Sequence, residues 1–209
     1  MSDRIPRRPL SPARMEAFSD GVFSIAATLL VLDIALRPPG SPMEQVVRAW
    51  PAYLAYVISF LTISAAWIAH TAMTDRLALS DTLLVRINLM LLLVVAFLPF
   101  PTTLIAEGLS DTSGERVFAT VYGLTLLTIH LLAYALDSYA RHERLYTDGQ
   151  TDDQLQSDRR TLVPTVIGYL VAILIGLVVP AVAVALYFAL AVLLVVPFRE
   201  IRHLVFRRA

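Results

Sequence analysis

Residues 161–198, TLVPTVIGYLVAILIGLVVPAVAVALYFALAVLLVVPF, contain no charged side chain. As one helix rising about 1.5 Å per residue, this stretch would be nearly twice as long as the roughly 30 Å hydrocarbon layer of a bilayer. Pro180 sits near its middle, where a missing N–H and a ring clash break a helix. We therefore read two spans joined by a very tight turn. Working outward, the remaining runs of about 20 apolar residues extend from about Met15 to Leu36, Val46 to Met73, Leu84 to Ile105 and Val117 to Leu136. The expectation is an all-α polytopic membrane protein with six transmembrane helices, residues 1–209 forming one unit.

The arginines test that count. All 17 basic residues are arginine, balanced by 17 acids, so net charge says nothing, but cytoplasmic loops carry an excess of positive residues. Six spans place Arg4, Arg7, Arg8 and Arg14, then Arg76 and Arg86, then Arg141, Arg144, Arg159 and Arg160, and finally Arg199, Arg202, Arg207 and Arg208 on one side. Only Arg37, Arg48 and Arg116 fall on the other. Splitting at Pro180 is what puts Arg160 and Arg199 together. The expected location is the cell membrane, with both termini cytoplasmic.

Composition excludes several functions. The chain is 57% hydrophobic and 16% charged, against about 45–50% and about 25% in ordinary globular proteins. A water-soluble monomer, intrinsic disorder and a basic nucleic-acid-binding face are all ruled out. There is no cysteine, which removes thiol catalysis, disulfides and cysteine zinc sites. No phosphate-binding glycine loop, nucleophile elbow or internal repeat is visible. The expectation is a protein without cofactor or catalytic activity. The first apolar run is too polar for a cleaved signal, since it holds Glu16, Ser19, Asp20, Ser24, Thr28 and Asp33.

That first span carries the functional information. Ionisable residues in membrane helices are expensive and are functional candidates by default. Asp20, Ser24 and Thr28 share a helical face, and Ile25, Leu29 and Leu32 form a neighbouring apolar stripe. Spacing alone also fits a buried packing helix whose hydroxyls bond the carbonyl one turn back. Two further details bear on the choice: Gly21, Ala26 and Ala27 allow close helix contact, and Arg14 and Asp20, six apart, each need another partner.

The segment Arg14–Phe23, RMEAFSDGVF, contains R-x-x-x-F-S-D and resembles the signature of the transmembrane protein 175 family of potassium channels. Ser24–Leu32, SIAATLLVL, is similar to that family's pore-lining helix. Agreement continues with Trp67 and His70, with Asn88, and with Phe97–Thr102, FLPFPT. The resemblance implies a homotetrameric, modestly potassium-selective cation channel in the lipid bilayer, lined by the first span of each subunit. By that resemblance Ile25, Leu29 and Leu32 are constrictions and Thr28, with Ser24 beside it, is a selectivity layer. Branched apolar rings can gate by dewetting, while hydroxyl oxygens can replace lost hydration. Arg14, Phe18, Ser19, Asp20, Trp67, His70 and Asn88 would form a scaffold. Most of these lie at one depth, where unsatisfied donors are costly, so they are expected to bond one another.

Weaker features remain. His130 and Asp137 share a face in span four, and Asp137 is placed to pair with Arg141. Gly168, Ala172 and Gly176 make a small-residue ridge, and Pro99 with Pro101 ends or kinks a helix. Asp33, Glu44, Glu107, Asp111 and Glu115 could concentrate cations at the outer mouth or be ordinary solvated loop acids. The competing function is a secondary or proton-coupled transporter using Asp20, His70, His130 and Asp137. An intramembrane hydrolase is disfavoured: beyond the absent cysteine, its only histidines would be His70, His130, His142 and His203.

Overall fold

The computed structural model describes residues 11–35, 38–110, 114–147 and 152–196, and only the backbone at 110 and 152–162. Expectations for Arg4, Arg7, Arg8, Leu36, Arg37, Asp111, Phe198, Arg199, Arg202, His203, Arg207 and Arg208, and for the side chains of Arg159 and Arg160, lie outside the described residues.

Every element among the described residues is helical apart from one isolated bridge. α1 (Pro12–Leu29) begins with proline in its first turn, where a missing N–H is harmless, and continues into a 3₁₀ turn at Leu30–Asp33. α2 (Pro42–Arg48) opens with a capping box, in which Ser41 and Glu44 satisfy each other's backbone N–H groups. α3 (Trp50–Thr74) follows after Ala49 alone. Asp81 caps α4 (Thr82–Phe97), accepting from the N–H groups of Leu83 and Leu84 at 3.1 and 2.8 Å. α5 (Pro99–Ser110), α6 (Glu115–His142), α7 (Asp152–Gly176) and α8 (Pro180–Val195) complete the bundle.

Among the described residues, four segments are long and apolar enough to cross a membrane: Pro12–Asp33, Trp50–Thr74, Thr82–Leu109 and Glu115–His142. Val163–Gly176 and Pro180–Val195 are shorter apolar helices. The chain turns at Leu177–Val179 and restarts at Pro180, where the proline ring favours a helix start over a continuation. Three boundaries differ from the hydropathy reading. Residues 46–48 belong to α2, not to the second span. The third span is interrupted at Leu98, because Pro99 cannot donate its backbone bond. α6 runs on to His142, and α7 starts within the expected loop at Asp152 and passes through Pro164.

Packing between helices in lipid draws little on the hydrophobic effect and depends on close fit. Gly123 on α6 shows this. A Cβ there would collide with the Tyr187 hydroxyl on α8 and lie 2.7 Å from Ile173 Cγ1 on α7. Gly168 and Gly176 face Leu190 and Ala183 of α8, and Ala172 between them is fully buried, so the small-residue ridge is the α7–α8 contact. Two loops meet at one end of the bundle. The N–H of Ala78 donates to the Leu145 carbonyl at 2.9 Å, and that of Thr147 to the Arg76 carbonyl at 3.0 Å. The arginine-bearing connections after α3 and α6 therefore share an end.

Candidate functional site

Met15, Ser19, Phe23, Ala26 and Leu30 form the buried side of the first helix. Their spacing of about one and two turns is that of one helical face. Ser19 is fully buried there, and a chain of hydrogen bonds runs from it into α4 and α3. Ser19 Oγ donates to the Met15 carbonyl at 2.8 Å, Asn88 Nδ2 donates to Ser19 Oγ at 2.9 Å, and Asn88 Oδ1 lies 2.8 Å from His70 Nε2. The direction is fixed by counting protons. The single hydroxyl proton of Ser19 goes to Met15, so Ser19 accepts from the amide of Asn88. The amide oxygen is then left to accept, and His70 donates from Nε2. The His70 ring also packs 5.4 Å from that of Phe23.

A second tie lies beside the first. Trp67 Nε1 donates to Asp20 Oδ1 at 2.8 Å. The structure thus brings together Ser19, Asp20, Trp67, His70 and Asn88. It does not bring in Arg14 or Phe18, which are exposed. Phe23 was missed by sequence reasoning, although its four-residue step from Ser19 is the available signal.

The opposite side of α1 has no partner among the described residues. Ile25, Leu29 and Leu32 are 60%, 41% and 73% exposed, and Ser24 and Thr28 are exposed between them. Thr28 Oγ1 donates to the Ile25 carbonyl at 2.9 Å, leaving its lone pairs outward. A Cβ added to Gly21 on this helix would meet nothing within 4 Å. Leu32 falls in the 3₁₀ turn that continues α1.

A buried hydroxyl cluster lies elsewhere in the bundle. Ser59 Oγ is 2.7 Å from both Thr102 Oγ1 and the Tyr122 hydroxyl, tying α3, α5 and α6. No spacing rule could have found it, because its members sit on three different helices. The features of span four separate: His130 Nδ1 donates to the Leu126 carbonyl at 2.8 Å, whereas Asp137 pairs with Arg141 and accepts from the Tyr146 hydroxyl at 2.6 Å. Burial first, then its bond to Asp137, pushes the Tyr146 phenol above its ordinary range. Among the acids expected at the outer mouth, Glu44 is spent in the α2 cap and Glu115 lies in the first turn of α6. Asp33 and Glu107 line a cleft of about 600 Å³ with Arg48.

Several helices of membrane-crossing character, tied by internal polar bonds and exposing apolar residues outward, define a multi-pass helical membrane protein. Residues 14–99, which hold both α1 faces and the network, match the family model described as endosomal/lysosomal potassium channel TMEM175. A potassium channel of Chamaesiphon minutus is 38% identical over 152 residues, covering 70% of each chain. One of Streptomyces collinus is 43% identical over 126 residues, the match spanning 59% of this chain and 61% of that protein. In three dimensions, the solved lysosomal potassium-selective channel TMEM175 homologue from Chamaesiphon minutus superposes with a TM-score of 0.77 at 32% identity, covering 88% of this chain and 95% of that one. The chain belongs to the TMEM175 family.

Proposed function

We propose that this chain is one subunit of a homotetrameric, potassium-preferring channel in the cell membrane, with residues 1–209 forming one six-span unit and both termini cytoplasmic. The observation that carries the reading is the division of α1. One side is anchored through Ser19, Asn88 and His70, and the other presents Ile25, Thr28, Leu29 and Leu32 to no partner among the described residues. A threonine is a poor residue to offer lipid but a suitable one to offer a hydrated ion. Four copies of such a face make apolar rings at Ile25, Leu29 and Leu32 and a hydroxyl ring at Thr28, with Ser24 beside it. The names of the Streptomyces and Chamaesiphon relatives supply the ion.

α7 and α8 serve as spans five and six. α8 covers about 24 Å over its 16 residues, a mismatch that modest bilayer thinning accommodates. The meeting of the loops after α3 and α6 supports the arginine-rich side as cytoplasmic. The transporter reading loses ground on the geometry: no hydrogen bond joins any two of Asp20, His70, His130 and Asp137, all within the described residues.

Flux from protein-loaded liposomes tests the proposal. Potassium efflux is expected to exceed sodium efflux without a pH gradient. Ile25→Asn should raise flux by wetting the constriction, and Thr28→Ala should narrow the preference for potassium. Unchanged flux and selectivity in both variants would remove α1 from the pore, and strictly proton-coupled uptake would replace the channel by a carrier.

A further inference from the structure

A cleft of about 260 Å³ opens between α3 and α6, away from the exposed face of α1. It exists because the α3 wall is built from alanines: Ala65, Ala69 and Ala72 recur at i, i+4 and i+7, so no side chain fills the gap. Leu91 and Ile129 line it further. The polar lining has a defined sense. His70 lines the cleft and is buried, its Nε2 proton committed to Asn88, and its Nδ1 has no partner. His130 also lines the cleft; its Nδ1 proton is committed to the Leu126 carbonyl. In a neutral imidazole the other nitrogen is an acceptor, and in His70 that nitrogen is the unpartnered Nδ1. At the polar end Asp137 is held by Arg141 and Tyr146; Thr165 and Arg76 also line the cleft, the Arg76 guanidinium lying over the Tyr146 ring at 5.3 Å.

We infer that the α3–α6 cleft binds a compact, neutral amphiphile that donates one hydrogen bond into an apolar slot, the chemical class of a medium-chain primary alcohol. Apolar walls around the unpartnered His70 Nδ1 favour a ligand carrying a hydroxyl proton over an alkane, because a buried acceptor without a donor is costly. The volume, just below the roughly 300–1,000 Å³ of ordinary ligand pockets, admits a single short chain and not a phospholipid. No group of three or more metal-ligating side chains occurs among the described residues. The cleft connects to α1: a hydroxyl bonded to His70 Nδ1 polarises the chain through Asn88 to Ser19. Alcohol should therefore alter flux, a consequence that rests on the channel reading, whereas binding itself does not.

Photolabelling with 3-azioctanol, with adducts located by mass spectrometry of the intact chain's fragments, tests this. Adducts are expected to concentrate on Ile68–Met73 of α3 and on the facing part of α6, to saturate, and to be displaced by 1-octanol but not by octane. Ala69→Phe, at an exposed position, should fill the slot and abolish labelling. His70→Phe, which keeps the ring and removes the free Nδ1 acceptor, should lower it by roughly fivefold, the loss of about one hydrogen bond. Labelling that is absent, as for a cleft holding only water, would overturn the inference. So would adducts spread over outward positions such as Leu93 and Leu174, equal displacement by octane, or labelling unchanged in both variants.

Discussion

Replacing Asn88 by leucine probes the anchoring of α1 most sharply. Asparagine and leucine share the same branched arrangement of side-chain heavy atoms, so the main perturbation is chemical: two hydrogen bonds go, one of 2.9 Å to Ser19 Oγ and one of 2.8 Å from His70 Nε2. Ser19 keeps its bond to the Met15 carbonyl and loses only a donor. His70 is worse placed, since its N–H is stranded in a site 4% exposed. Side-chain bonds between membrane helices average about 0.6 kcal/mol and reach about 1.7, while a stranded buried donor costs about 1–3 kcal/mol. The expected loss is therefore about 1–3 kcal/mol, weighted toward His70. Equilibrium unfolding in mixed micelles titrated with dodecyl sulfate, followed by circular dichroism, measures it. The double variant Asn88→Leu/His70→Phe should recover about 1 kcal/mol or more, because removing both partners leaves nothing stranded. A single variant within about 0.3 kcal/mol of the parent, or a double variant less stable than the sum of both singles, would refute the directional chain derived from proton counting.

Three more perturbations follow from other parts of the bundle. Gly123→Ala should destabilise by about 1–3 kcal/mol through overpacking against Tyr187 and Ile173, whereas Gly21→Ala, with open space around it, should be neutral or stabilising by up to about 1 kcal/mol; the same unfolding assay separates them. Tyr146 should show itself in alkali. Its phenol is raised in the folded chain, so the folded state holds the proton more tightly than the unfolded one. That contribution is complete below the ordinary phenol value of about 10 and is lost as pH rises from there through the raised value. Melting temperatures measured above pH 10 should fall less steeply in Tyr146→Phe than in the parent.

The chain's own pattern reveals elements better than it reveals partners. The uncharged stretch at residues 161–198 and the proline near its middle, Pro180, were enough to place the α7–α8 turn, since hydropathy and proline chemistry are local. Pro99 marked the α4–α5 break for the same reason. Periodicity set the stripe of Ile25, Leu29 and Leu32 beside the face of Asp20, Ser24 and Thr28, but only the folded chain shows that the stripe is uncovered. The bonding among Ser19, Asn88 and His70 was expected from shared depth, a one-dimensional coordinate that survives in a membrane protein. Depth could not say that Asn88 is the middle member, or that Trp67 takes Asp20 while Arg14 and Phe18 stay outside. The Ser59–Thr102–Tyr122 cluster and the need for glycine at 123 depend on which helices neighbour which, and no sequence spacing encodes that. α2 escaped notice because seven residues with a proline start and a capping box are too few for a periodic signal.

The central claim is that the uncovered face of α1 meets copies of itself around an axis. The chain contains no cysteine, so single cysteines can be introduced on a silent background. Ile25→Cys, reconstituted in liposomes and treated with a short thiol-to-thiol cross-linker, should give a dimer band on a denaturing gel. Leu93→Cys, outward on α4 and 62% exposed, should stay monomeric. Cross-linking at Leu93 with none at Ile25 would contradict the account, because the face of α1 would then look into lipid and not into a pore.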